Sequence, residues 1–168
     1  TDEAAQTLTY KVTAIPAASL GTVYLADGVT AVVANTNYTL AQIQGMKFTA
    51  AANANGSGTF TYTVQDSGGT ANGGVDTLTQ SIAITVNAVN DAPVLTAGTV
   101  ANLTVNEDSG TSSLGLGSVT YGPGGGTDEA AQTLTYKVTA IPAASLGTVY
   151  LADGVTAVVA NTNYTLAQ

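Results

Sequence analysis

The chain has 168 residues, with three lysines, no arginine, no histidine, no cysteine and no tryptophan, and its eleven carboxylates give a net charge of −8. This excludes disulfides, thiolate metal sites and nucleophile–histidine catalysis, and it makes nucleic acid and anionic membranes poor partners, since both are recognised through Lys and Arg. No apolar run approaches the ~18 residues of a helical membrane span, and cations are the natural partners of so acidic a chain.

Apolar and polar residues alternate with period two from the start of the chain. Leu8, Tyr10 and Val12 fall on one face of a predicted strand, and Thr9, Lys11 and Thr13 on the other. Pro16 ends that strand. Ala26-Asp27-Gly28 joins Thr22–Leu25 to Thr30–Val33 as a tight hairpin, with Asp27 in a turn role. Thr39–Gln44 fits one helical turn. Asn53 to Gly58 is a turn before a strand through Phe60, Tyr62 and Val64, and Ser67-Gly68-Gly69 and Asn72-Gly73-Gly74 follow it. A long strand is expected over 77–88, containing Ile82, Ile84 and Val86. Val89-Asn90-Asp91-Ala92-Pro93 reads as a stiff, extended boundary, because Pro93 cannot join a central ladder and biases Ala92 toward extended backbone. Leu103 and Val105 mark a further short strand, and Tyr121 beside Gly122-Pro123-Gly124-Gly125-Gly126 anchors a loop.

From Thr127 the sequence starts again. Residues 127–168 repeat residues 1–42 letter for letter, so Asp153 repeats Asp27, and Asp128 and Glu129 repeat Asp2 and Glu3. An unblemished copy points to a tandem array, and a period near the commonest domain size of ~100–150 residues points to successive domains rather than a solenoid. Short alternating strands with regular turn signals predict an all-β sandwich for each unit. On this reading 1–91 is a repeat lacking its opening segment, whose equivalent is 92–126. Residues 92–168 begin the next repeat and lack the closing strands, equivalent to 43–91. Each part would expose core faces and strand edges, so a window on a longer polymer or an assembled fibre is expected rather than a free monomer.

Val86-Asn87-Ala88-Val89-Asn90-Asp91-Ala92-Pro93-Val94 resembles the junction between cadherin-like tandem repeats of giant bacterial surface adhesins, including biofilm-associated proteins and RTX-type adhesin extender domains. The stretch from Leu40 to Asp66, with GMKFTAAANANGSGTFTYTVQD inside it, is similar to the late strands of those units. Val105-Asn106-Glu107-Asp108 is similar to their opening strand, and Thr127-Asp128-Glu129 before Leu134-Thr135-Tyr136 to their acidic loop. The resemblance implies antiparallel, Ig-like (cadherin-like) β-sandwich repeats in tandem, calcium between domains, and an extracellular or bacterial cell-surface location. Its function would be that of a structural extender in an adhesin, matrix or filament protein. Two positions depart from the family pattern. Ala88 stands where cadherin junctions usually carry an acid, and Asp128-Glu129-Ala130 replaces an Asp-x-Asp.

Eight acids gather in a few loci: Asp2 and Glu3, Asp66, Asp91, Glu107 and Asp108, and Asp128 and Glu129. Calcium takes ~6–8 oxygen ligands from carboxylates and carbonyls, which loops at a junction can supply. Asn90, Asp91, Glu107, Asp128 and Glu129 are the candidate ligands, with Asp66, Asp2 and Glu3. The alternative is that these are solvated loop acids that keep a sparsely charged chain soluble. No acid sits in a recognisable glycosidase motif, and Gly122–Gly126 lacks the Lys-Ser/Thr of a phosphate cradle. No enzyme is expected. The expected partners are neighbouring repeats, with self-assembly into fibres. The rival function is a glycan- or surface-binding module acting by the avidity of its copies, through threonine faces (Thr59, Thr61, Thr63) or tyrosines. Strand propensity and core packing account for those residues as well.

Overall fold

The computed structural model describes residues 5–168, so Asp2 and Glu3 lie outside the described residues. Strands make up 34% and helices 11%, and among the described residues every strand pair is antiparallel, which makes the chain all-β. It divides into two compact units, Thr1–Val89 and Asn90–Gln168. The division falls two residues before the boundary expected at 91/92. Asn90 and Asp91 group with the second unit because both hydrogen-bond to residues around 129–132.

The first unit contains β1 (Leu8–Ala14), β2 (Gly21–Tyr24), β3 (Thr36–Tyr38), α1 (Leu40–Gly45), β4 (Lys47–Ala50), β5 (Gly56–Asp66) and β6 (Thr77–Val86). One sheet has the order β3-β1-β5-β6, and β2 pairs with β4 in a second. Val12 lies opposite Tyr62, and Phe60 opposite Ile82, so the period-two faces of β1, β5 and β6 coincide. Val12 and Phe60 of the large sheet pack with Val23 of the small one and with Val32, and Tyr38, Ile43 and Phe48 close around them. β6 ends at Val86, short of the expected 88, because its partner β5 begins at Gly56, which pairs with Val86.

Local chemistry explains the connections. In the hairpin after β2, the Leu25 N–H donates to Thr30 O (2.9 Å) and the Val32 N–H to Val23 O (2.8 Å). The second arm, expected as a strand over 30–33, contributes only a single bridge at Ala31 opposite Tyr24. The Asp27 carboxylate closes the turn by accepting from the N–H groups of Val29 and Thr30 (both 2.9 Å) and from Thr30 Oγ1 (2.6 Å). α1 is the predicted helical turn. Thr39 caps it through a reciprocal capping box with Gln42. Tyr38 Oη accepts from the Val33 N–H (2.8 Å), so this tyrosine holds a loop.

The second unit contains β7 (Val94–Ala97), β8 (Thr120–Gly122), β9 (Tyr136–Val138) and β10 (Thr162–Tyr164), paired β7–β8 and β9–β10. Leu103 and Val105 form no strand and stay exposed. Alternation marks a face, but a strand exists only where a neighbour completes its hydrogen bonds, and no described residue pairs with this stretch. The repeated segment shows the same effect. Tyr136–Val138 pairs with Thr162–Tyr164 in the register of Tyr10–Val12 with Thr36–Tyr38. The Asp153 turn reproduces the Asp27 turn bond for bond. Yet β1 has seven residues and its copy β9 has three, since β1 is also bonded to β5. Val12 is 0% exposed, whereas Val138 is only half-buried.

Two expectations follow. Val12→Ala should destabilise the first unit by about 2 kcal/mol, from lost apolar burial and the cavity left behind. The chemically identical Val138→Ala should cost the second unit under ~1 kcal/mol. Chemical denaturation of the two variants measures both. The hydrogen bonds from Thr30, and then those from the Val29 and Thr30 N–H groups, hold the Asp27 carboxyl below its ordinary value of 3.8. The Thr156 hydroxyl, with the N–H groups of Val155 and Thr156, does the same for Asp153. A carboxyl depressed by folding adds stability that is present above 3.8 and is lost as pH falls through its folded-state value. The stability advantage of the parent chain over the Asp27→Asn/Asp153→Asn variant should therefore shrink as pH drops below that point, which acid titrations of both proteins would show.

Candidate functional site

The glycine-rich loop after β8 and the boundary segment Asn90–Ala92 meet in the second unit. Thr127–Glu129 forms a single 3-10 turn, entered from Gly126 in extended backbone. The turn places Asp128 outward, where it is exposed, and Glu129 inward, where it is 1% exposed. The Asp91 N–H donates to Glu129 Oε1 (2.7 Å). Gln132 Nε2 donates to Asn90 Oδ1 (2.9 Å), and Asn90 Nδ2 donates to the Asp91 carbonyl (3.1 Å). Asn90, Asp91, Glu129 and Gln132 are thus one polar cluster, joining the extended boundary segment to the 3-10 turn.

Glu129 Oε2 is the exception in this network. It is buried and, among the described residues, has no hydrogen-bond partner. Burying a carboxylate oxygen without a partner is expensive, and native interiors nearly always pair such atoms with a donor, a water or a cation. The second acid is adjacent. A Cβ built on Gly125 would stand 3.0 Å from both Asp91 Cβ and Glu129 Cγ, and nearer still to Asp91 Oδ2. Gly125, at φ +52°, therefore lets the loop run directly over the two carboxylates.

The remaining candidates are elsewhere. Glu107 and Asp108 are exposed in the turn closed by the Ser109 N–H on Asn106 O, with Asp108 at φ +60°. Asp66 ends β5 in the first unit, where its Oδ1 accepts from the Gly68 N–H (2.8 Å). Among the described residues no three acidic side chains converge. The cluster thus brings together two carboxylates, Asp91 and Glu129, with the Asn90 and Gln132 amides.

Asp66 has a second relationship through the repeat. Gln6 is the copy of Gln132. A Cβ on Gly68 would meet Gln6 Nε2 at 2.6 Å and Asp66 Oδ1 at 3.0 Å, so this glutamine flanks Asp66 in the first unit. In the second unit the same glutamine bonds Asn90.

Sequence reading missed Gln132 and Gly125. Gln132 lies three residues beyond Glu129, where a turn returns its side chain to the boundary segment. That spacing was the available signal. Gly125 hid within a run of glycines, and only the contact distances single it out. Gly125→Ala should destabilise the second unit by more than Gly154→Ala. Both have positive φ, which alone costs about 1 kcal/mol, but Gly154 has open space around it and Gly125 has two carboxylates. Thermal melts of the two variants make the comparison. The chain matches no protein-family model, no curated protein and no solved structure.

Proposed function

We propose that the chain is part of a tandem array of Ig-like, cadherin-like β-sandwich repeats that acts as a structural extender on the bacterial surface, in an adhesin, matrix or filament protein, stiffened by calcium where successive domains join. The support for repetition is the identical segment itself, which reproduces its turns and its β9–β10 register in both units. The support for a sandwich is the packing of Val12 and Phe60 against Val23 across two sheets.

The observation that carries calcium is Glu129 Oε2, buried and, among the described residues, without a partner, beside the Asp91 carboxylate. A hard cation with oxygen ligands suits this donor set, in which no nitrogen or sulfur ligand takes part. Gln6 and Gln132 extend the set. In a complete repeat, the glutamine that bonds the Asn90-type residue would also flank the Asp66-type residue, adding a third carboxylate to Asp91 and Glu129. Clamping Asn90–Pro93 between two domains would convert an extended linker into a stiff joint. Stiffness and length are what an extender supplies, and they require no catalytic group.

Millimolar calcium should raise the melting temperature of the chain, because a ligand specific to the folded state stabilises it by mass action. Glu129→Gln keeps an acceptor for the Asp91 N–H and removes the charge, so it should abolish the shift. Glu107→Ala, in an exposed turn, should leave it intact. No shift in the parent chain, with magnesium and calcium indistinguishable, would end the calcium reading.

A further inference from the structure

Four asparagines stand in the pattern Asn-x-Ser/Thr: Asn37-Tyr38-Thr39, Asn55-Gly56-Ser57, Asn102-Leu103-Thr104 and Asn163-Tyr164-Thr165, the last being the copy of the first. This tripeptide is the acceptor pattern for N-linked sugar, and only a surface position can use it. All four asparagines are exposed. Their backbones lie outside the left-handed region that Asn35, Asn53, Asn72 and Asn161 adopt. Among the described residues their side chains make no hydrogen bond, whereas Asn90 is tied to Gln132 and to its own neighbour. Turn and network roles account for those other asparagines and not for these four.

The fold then sorts four equivalent motifs. The pattern specifies a hydroxyl at its third position, so that hydroxyl has to reach the transferase. At Asn37 it is already in use: Thr39 Oγ1 accepts from the Gln42 N–H and donates to Gln42 Oε1 (both 3.2 Å) in the cap of α1. Asn37 itself is laddered in β3 opposite Lys11. The copy is closed in the same way, with Thr165 Oγ1 donating to Gln168 Oε1 (3.1 Å) and Asn163 opposite Lys137. At Asn55 the next two residues are held in β5, Gly56 opposite Val86 and Ser57 opposite Thr85. Asn102 differs from all three. Residues 99–106 form neither strand nor helix, and among the described residues no group of 99–105 is hydrogen-bonded. Asn102, Leu103 and Thr104 are all exposed.

We infer that Asn102 is an acceptor for N-linked sugar on the folded chain, with Thr104 supplying the hydroxyl that the transferase reads. The donor is a nucleoside-diphosphate sugar. Asn102 Nδ2 forms a bond to C1 of the sugar, and the bond from C1 to the diphosphate breaks, its electron pair leaving with the nucleoside diphosphate. One amide proton passes to a base of the transferase. A sugar at this position adds hydration to a chain in which charged residues are only 8%. It also stands beside Leu103 and Val105, which are 48% and 53% exposed. The inference goes beyond the extender reading and depends on neither calcium nor the array.

The test incubates the purified, folded chain with a soluble N-glycosyltransferase and a nucleoside-diphosphate hexose, followed by intact-mass measurement and peptide mapping. The expected result is one added hexose, located on Asn102, with occupancy several-fold above that of Asn37, Asn55 or Asn163. Asn102→Gln and Thr104→Ala should each lose it, and Thr104→Ser should keep it. All three changes fall on exposed, unbonded residues, so the fold is expected to tolerate them. In a tryptic digest, where the fold is gone, the preference for Asn102 should disappear. An unmodified Asn102 in the folded chain overturns the inference. So does equal occupancy of Asn37 and Asn163, which would mean that the cap and the ladder do not shield a motif, and so does a hexose on Asn102 that persists in Thr104→Ala.

Discussion

β5 is bonded along both edges, to β1 from Leu8 to Ala14 and to β6 over the whole of Thr77 to Val86. Those ladders place Val12, Phe60 and the β6 residues on one surface, and the small β2–β4 sheet then has something to pack on. Without such a partner, identical residues 136–138 form a minimal pair with β10, and Val138 is only half-buried. Backbone hydrogen bonding comes first in this logic, because an unpaired N–H or C=O cannot be buried. Side-chain burial follows from the pairing.

Against that, some pieces of the repeat need no partner. The Asp27 and Asp153 turns have the same three bonds. Turn chemistry acts over three or four residues and is satisfied wherever those residues occur. A repeat protein built this way has rigid local corners joined by strands whose length depends on neighbours.

The Glu129 cluster has a different character. Its geometry depends on a loop of consecutive glycines crossing close above two acids, and on a boundary segment that donates the Asp91 N–H to Glu129 and accepts from Gln132 through the Asn90 amide oxygen. Among the described residues, one oxygen of the buried Glu129 carboxyl has no partner, beside a second acid. This imbalance separates Glu129 from Asp27, Asp76 and Asp153, whose oxygens are fully used in exposed turns and linker bonds.

By itself the sequence determined the features that depend on near neighbours: the all-β class from period-two alternation, the Asp27-Gly28 hairpin and the helical turn after Thr39. Tertiary structure decided what depends on distant pairing. It removed Leu103 and Val105 from the strands, stopped β6 at Val86, and left Leu78 and Ile82 open while burying Val12 and Phe60. It also turned Glu129 inward and Asp128 outward, a distinction invisible in two adjacent acids, because a 3-10 turn sends successive side chains in different directions. Periodicity states which residues share a face, but only the partner strand states whether that face is covered.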